Sequence, residues 1–233
     1  MASHIICMLV LCTVFFTPCY GHCPATGFET AQNFQPTLFF TGSWYTVKAV
    51  PNKYQPKNTF YCVVTTYTIL DTLICQITGC DTKKIEALGS RRVDRTSGAI
   101  DRRLMNVHIP NAADSSKVRK GIAVLPEALY NDMWIVRAGR YADLVTTSET
   151  TTPANGGYDW AIITAGSPAV ETDANKCSAD IGFGNYGFWL QTRTSEPSEA
   201  ITNAMIKLAD SLFLDTSKLE DVTHQRCNHI TTK

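Results

Sequence analysis

The sequence has no excess of either charge: 21 basic residues face 21 acidic ones over 233 positions. That balance removes any bulk electrostatic case for nucleic acid or an anionic membrane as partner. It also has no Asn-x-Ser/Thr site, so N-glycosylation is not expected, and no Gly-x-Ser-x-Gly, His-Glu-x-x-His or phosphate-loop pattern. No Cys-x-x-Cys pair occurs. Beyond residue 21 the nearest spacing, Cys75 to Cys80, lacks a neighbouring His, so a metal site is not expected. Paired core carboxylates are not evident, since Glu86 and Asp159 fall on strand-like runs and are expected to face solvent. There is no repeat, low-complexity tract or linker that would split two domains. Beyond the amino terminus, no apolar run approaches the roughly 20 residues that a membrane span needs.

What is present begins with residues 1–21. They contain no Lys, Arg, Asp or Glu and carry an apolar stretch from Ile5 to Phe16, followed by the small residues Cys19 and Gly21. This pattern reads as a secretory signal peptide, with a membrane anchor as the weaker alternative because the run is short. Residues 22–233 are then expected to form a single domain. Of nine cysteines, Cys7, Cys12 and Cys19 leave with the leader, and six remain: Cys23, Cys62, Cys75, Cys80, Cys177 and Cys227. An even number in an oxidising compartment implies disulfides, with the connectivity open. A hydrophobic fraction of 44% supports a packed core.

Strand-like runs rich in Val, Ile, Thr, Tyr and Trp recur at 43–50, 60–70, 72–79, 83–92, 102–109, 133–138, 158–165 and 186–193. Two further β-like runs, 118–125 and 142–147, are read as parts of longer connections. The stretch 148–157 and the segment from Gly166 to Ala179 are loops by composition. One amphipathic helix is expected from about Ser195 or Pro197 to Phe213, with Ile201, Ala204, Met205, Leu208 and Leu212 on one face. Ser195 serves as its N-cap and Pro197 suits its first turn. Short strands followed by one helix predict an all-β fold, an eight-stranded up-and-down antiparallel barrel with the helix packed on its wall. A barrel of that size has room for one small ligand.

Several stretches together resemble the lipocalin family. GSWY at 42–45 resembles its Gly-x-Trp signature. HCPATGFETAQNFQPTLFFTGSWY at 22–45 is similar to the amino terminus shared by apolipoprotein D and the insect bilin-binding lipocalins. FWLQTR at 188–193 resembles the last-strand motif ending in Arg, and MWIVRAG with YDWAIITAG resembles the pair of strands before it. The resemblance covers roughly residues 22 to 230. It departs from the family in two long connections, Asn111–Asp132 and 139–157, which place extra chain at one or other barrel rim.

The resemblance implies that Gly42, Trp44 and Arg193 are structural, with Trp44 across the closed end and Arg193 on its ring, a contact of ~0.5–2 kcal/mol. It implies a Cys62–Cys227 disulfide. The family partner of Cys23 falls at Gly166, so Cys177 is the expected substitute, which leaves Cys75 with Cys80. If Cys62 faces outward, alternation turns Val63, Thr65 and Tyr67 inward. Gln191 and Trp189 share the face of Arg193. Ala161 and Ile163 point inward by the resemblance, and His108 is placed on the lining of the fifth strand. The expected function is that of a secreted extracellular carrier for a small hydrophobic molecule: a bilin or carotenoid pigment, a retinoid, a sterol or a fatty acid. No cofactor is required, a chromophore or lipid being the bound guest, and the chain is expected as a monomer or weak oligomer. A covalent bilin link would need a spare Cys, which the count disfavours. The alternatives are a secreted interaction or defence protein acting through its loops, and a lipid-modifying enzyme on the same fold. The enzyme reading is disfavoured because a thiol isomerase needs a free, activated Cys.

Overall fold

The structure, a computed structural model, describes residues 23–70, 84–144, 157–172, 174–180 and 187–227. Its centre is a closed antiparallel barrel. The strands are β1 (Gly42–Ala49), β2 (Tyr61–Leu70), β3 (Lys84–Arg92), β4 (Ile100–His108), β5 (Lys117–Ile122), β6 (Asn131–Gly139), β7 (Trp160–Thr164) and β10 (Phe188–Thr192). Each pairs with its neighbour in chain order, and β10 returns to β1 to close the ring. A two-residue hairpin, β8 (Val170–Glu171) with β9 (Cys177–Ser178), stands outside the barrel. The predicted run 72–79 lies outside the described residues, and the barrel ladder passes directly from β2 to β3, from Tyr61 opposite Arg92 to Leu70 opposite Lys84.

The eight barrel strands therefore include one that was read as a connection. Lys117–Ile122 is a full member, paired with β4 and β6. The long stretch from Asn111 to Asp132 is thus a strand with its two turns, not extra chain at a rim. Gly121 sits within it because a Cβ there would overlap the ring of Tyr130 packed across it. The run 142–147 is also corrected. Its described part lies in a helical turn, α2 (Tyr141–Leu144), that tucks Tyr141 into the core, with the Asp143 carboxylate accepting from the Arg140 N–H at 2.7 Å.

The core has two layers separated by the barrel wall. Inside lie Trp44, Tyr67, Ile85, Val107, Val118, Ile135 and Ile163. Outside, α3 (Glu199–Ser211) packs Ile201, Met205 and Ala209 onto Val136, Trp160, Ile162 and Leu190. β7 runs between the two layers, which is why all five of its residues are buried and its sequence is apolar without alternation. The helix starts later than expected. Its N-cap is Ser198, whose Oγ accepts from the Ile201 N–H at 3.4 Å. Pro197 explains the shift, because a residue before proline is disfavoured in the helical region, and Glu196 therefore cannot begin the helix.

The carboxyl-terminal tail mends a gap. β1 pairs with β2 only over Gly42–Tyr45; at Lys48 and Ala49 its partner is β11 (Glu220–Asp221). The tail also reaches β2, through Cys62 N–H to Thr223 O at 2.9 Å and Thr223 N–H to Phe60 O at 2.9 Å. The Cys62–Cys227 disulfide locks this wedge in place. A second disulfide, Cys23–Cys177, joins the amino terminus to the β9 segment. Cys75 and Cys80 lie outside the described residues.

Candidate functional site: the barrel cavity

One end of the barrel is sealed by aromatic rings. The short helix α1 (Pro36–Phe39) lays Phe39 and Phe40 across the opening, and Trp44 and Tyr67 rise from β1 and β2 to meet them. Ring centroids stand 4.7 Å apart for Phe39–Trp44 and 5.1 Å for Phe40–Tyr67, with the pairs tilted or edge-to-face as ring quadrupoles prefer. The Trp44 indole N–H donates to Phe39 O at 2.9 Å. Gly42 enters β1 at a φ of +66°, a conformation open to glycine at little strain.

Arg193 closes this end from outside. Its guanidinium lies 4.0 Å from the centre of the Trp44 ring. Its five donors reach the carbonyls of Tyr158, Thr41, Ser43, Leu38 and Phe39 at 2.6–3.3 Å. Burial lowers its pKa to about 10, partly offset by the nearby Asp159 charge. Asp159, expected at the surface, is instead buried beside it, its carboxylate accepting from the Tyr141 N–H at 3.1 Å. Burial pushes this carboxyl above its ordinary range, against the opposing pull of the Tyr141 N–H and the Arg140 and Arg193 charges. This cluster lies at the sealed end and does not line the cavity.

Above the aromatic floor the barrel holds a cavity of about 390 Å³. Five of the residues proposed from sequence as lining surround it: Val63, Thr65, Ile163, Trp189 and Gln191. Tyr67 and Ala161 also face inward but belong to the packed core beneath it. His108 does not face the cavity. Its ring stands outside, with Nδ1 at 3.5 Å from the Glu127 carboxylate, and Val107 takes the inward position. The β4 alternation is thus one residue out of phase with the sequence reading, and a one-residue slip turns every side chain over.

The corrected phase brings in residues that sequence reasoning missed. Asp101, Arg103 and Met105 line the cavity from β4, Lys120 from β5 and Met133 from β6. Thr46 joins them on β1, and its hydroxyl accepts from the Gln191 amide at 3.2 Å. The other end of that amide is buried without a partner. At the mouth, Asp101 takes a hydrogen bond from Arg91 Nε at 2.9 Å and stands 3.5 Å from Arg103. Burial alone would raise the Asp101 carboxyl, but Arg91 and Arg103 outweigh it and hold it below its ordinary value. Trp189 donates to Gln55 at 2.9 Å, which fixes its ring against the rim.

No cysteine or histidine lines the cavity among the described residues, and no group of His, Cys, Asp or Glu there is placed to hold a metal ion. No described helix is long and apolar enough to cross a membrane.

No family model matches the sequence, and no curated protein is similar to it by sequence. Solved structures are similar in shape. Insecticyanin from the tobacco hornworm Manduca sexta matches at 15% identity and a TM-score of 0.53, over 88% of this chain and 88% of that one. Per a 4, a major allergen from cockroaches, matches at 12% identity and 0.51, over 85% of this chain and 94% of that one. Apocrustacyanin C2 matches at 11% identity and 0.50, over 82% and 80%. Identities this low speak to architecture alone. The closed eight-stranded barrel, sealed by Trp44 under Arg193 and backed by one helix, has the lipocalin fold.

Proposed function

We propose that the protein is a carrier that buries a small hydrophobic molecule in its barrel and releases it unchanged. The observation behind this reading is the cavity itself: about 390 Å³ of space above a sealed aromatic floor, with Val63, Met105, Met133, Ile163 and Trp189 in its apolar wall. Small-molecule sites are of this kind, concave and mostly apolar with a few placed polar groups, over roughly 300–1,000 Å³. Removing an apolar guest from water supplies the driving force at about 25 cal/mol per Å². Packed side chains stand on both sides of the barrel wall, beneath the space and under the helix. Secretion is part of the proposal. It is supported by the uncharged, apolar amino terminus and by two disulfides. A pigment, retinoid, sterol or fatty acid would all suit the apolar walls.

The test is to purify the protein from its native source, record its absorbance, and weigh it by native mass spectrometry. A carrier shows an added mass of a few hundred daltons, with a visible band if the guest is a pigment. A bare mass in every preparation, together with no uptake of added retinoid, sterol or fatty acid, ends the carrier reading. It would leave the interaction reading, which one feature favours: the 123–130 loop at the mouth holds Val124 at 88% and Leu129 at 61% exposure.

A further inference from the structure

Lys120 is a charge in an unusual place. It lies on β5 between Val118, which is buried in the barrel core, and Ile122 at the mouth, so alternation directs it into the cavity. Its ammonium donates a long hydrogen bond of 3.4 Å to the Tyr67 hydroxyl and stands 5.4 Å from the centre of that ring. No carboxylate among the described residues is within ion-pairing distance of it. The other charges of the lining are committed elsewhere. Arg91 and Arg103 share Asp101, at 2.7 and 3.5 Å, and Asp132 is drawn to Arg119, which lies 3.7 Å away on the outer face. The lining therefore carries three cations against two carboxylates. The unmatched one is Lys120, the cation that reaches down to the aromatic floor.

A neutral apolar guest would cover this ammonium, strip its water and offer nothing in return. Burying a charge without a partner is among the most costly events in a protein interior. A guest that brings its own negative charge turns the same burial into a charge-assisted hydrogen bond. We propose, building on the carrier reading, that the guest is an amphipathic acid whose carboxylate is held by Lys120. Its hydrocarbon part lies along Met105, Met133 and Ile163. Among the apolar molecules that would fit the walls, this selects acids over alcohols, esters and hydrocarbons.

The experiment uses the full chain, expressed with its own leader and folded with its disulfides, and two probes of nearly equal size, oleate and oleyl alcohol. Binding is followed at pH 7.5 through quenching of Trp189, which lines the cavity. The wild type is expected to prefer oleate by about tenfold or more, the scale of one charge-assisted hydrogen bond. In Lys120→Met, which keeps the length of the stem, that ratio falls to near one, and Lys120→Arg restores most of it. A ratio near one in the wild type, or a preference for oleate that Lys120→Met leaves standing, overturns the assignment while the carrier reading stands. Binding of neither probe by a chain that takes up retinol or a sterol overturns the assignment alone, and binding of none of these, with a bare native mass, overturns both.

Discussion

At the scale of single residues, the seal of the barrel depends on Arg193 more than on any aromatic ring around it. Its planar fork meets five carbonyls from three stretches of chain, at 38–39, 41–43 and 158. Arg193→Met would keep much of the stem packing and take the guanidinium donor from all five, leaving Phe39 O with the Trp44 indole and Leu38 O with the Thr41 hydroxyl but Tyr158, Thr41 and Ser43 without it. The expected loss is at least about 3 kcal/mol, since each buried polar group left unpaired costs about 1–3 kcal/mol. Arg193→Lys should be intermediate, because an ammonium cannot reproduce the fork. Urea unfolding of the three proteins checks this, and equal midpoints would show that the carbonyls are satisfied by water. Carboxylates set the response to acid. Asp114 is held below its ordinary value: burial opposes this, but hydrogen bonds from Lys117, Ser116 and Thr30 prevail. Asp215 is lowered through Ser217 in the same way, and Asp101 through Arg91. A depressed carboxyl contributes stability that is present above its unfolded value, about 4, and is lost as pH falls through the folded one. Asp159 is raised and works in the opposite sense, losing stability as pH rises through its window. With three lowered against one raised, the urea midpoint should fall as pH drops below about 4, and Asp114→Asn should make that fall shallower.

At the scale of elements, the tail is the part whose contribution is least apparent from its length. Residues 220–224 are a strand stub and a few hydrogen bonds, yet they occupy the place along β1 that β2 has left. His224 completes the wedge, its ring nitrogen 2.8 Å from Thr46 O, behind the cavity wall. Replacing Cys62 and Cys227 by Ser opens a link spanning 165 residues. The expected cost is about 3–5 kcal/mol, by loop-closure entropy. The double variant should also be clipped by protease at the tail before the barrel yields, and simultaneous cleavage throughout would show that the wedge is not a separable unit. The same scale shows what could be read in the sequence. β1, β7, β10 and α3 were legible because each carries large apolar or β-branched residues where it is buried, so pattern and burial agree. β5 was misread because Lys117, Arg119 and Lys120 put charge on both of its faces, and an inward lysine breaks the alternation by which a strand is recognised. β4 was found but slipped by one residue, because Asn106 and His108 are as plausible inside a barrel as Met105 and Val107. Both failures fall where the cavity carries its polar groups, as expected if local rules are broken at a working site.

At the scale of the whole molecule, a carrier must keep a hole that its own folding would rather close. Water in the cavity gives its apolar walls poorer contacts than packed side chains would, so the open space is a standing cost that a guest relieves. Two consequences separate a maintained cavity from a packing defect. A guest that binds the folded chain alone should raise its stability by about 2.7 kcal/mol at a hundredfold excess over Kd. Filling the space with the protein's own atoms should do the reverse to binding and little harm to folding. Thr65 is the place to do this. It is buried on the inner face of β2, two residues above Tyr67, and lines the cavity, with Trp44 opposite it on β1 and the side-chain-free Gly89 opposite it on β3. Thr65→Phe would send a ring into vacant volume while leaving the strand ladder intact. The expected variant is as stable as the parent or more so in urea, and no longer gains stability from added ligand. A variant that still gains the full increment would mean that the guest sits elsewhere, on the apolar loop at the mouth, and that the interior serves only to hold the barrel open. A variant that is strongly destabilised would mean that the space closes in solution and is not kept for a guest.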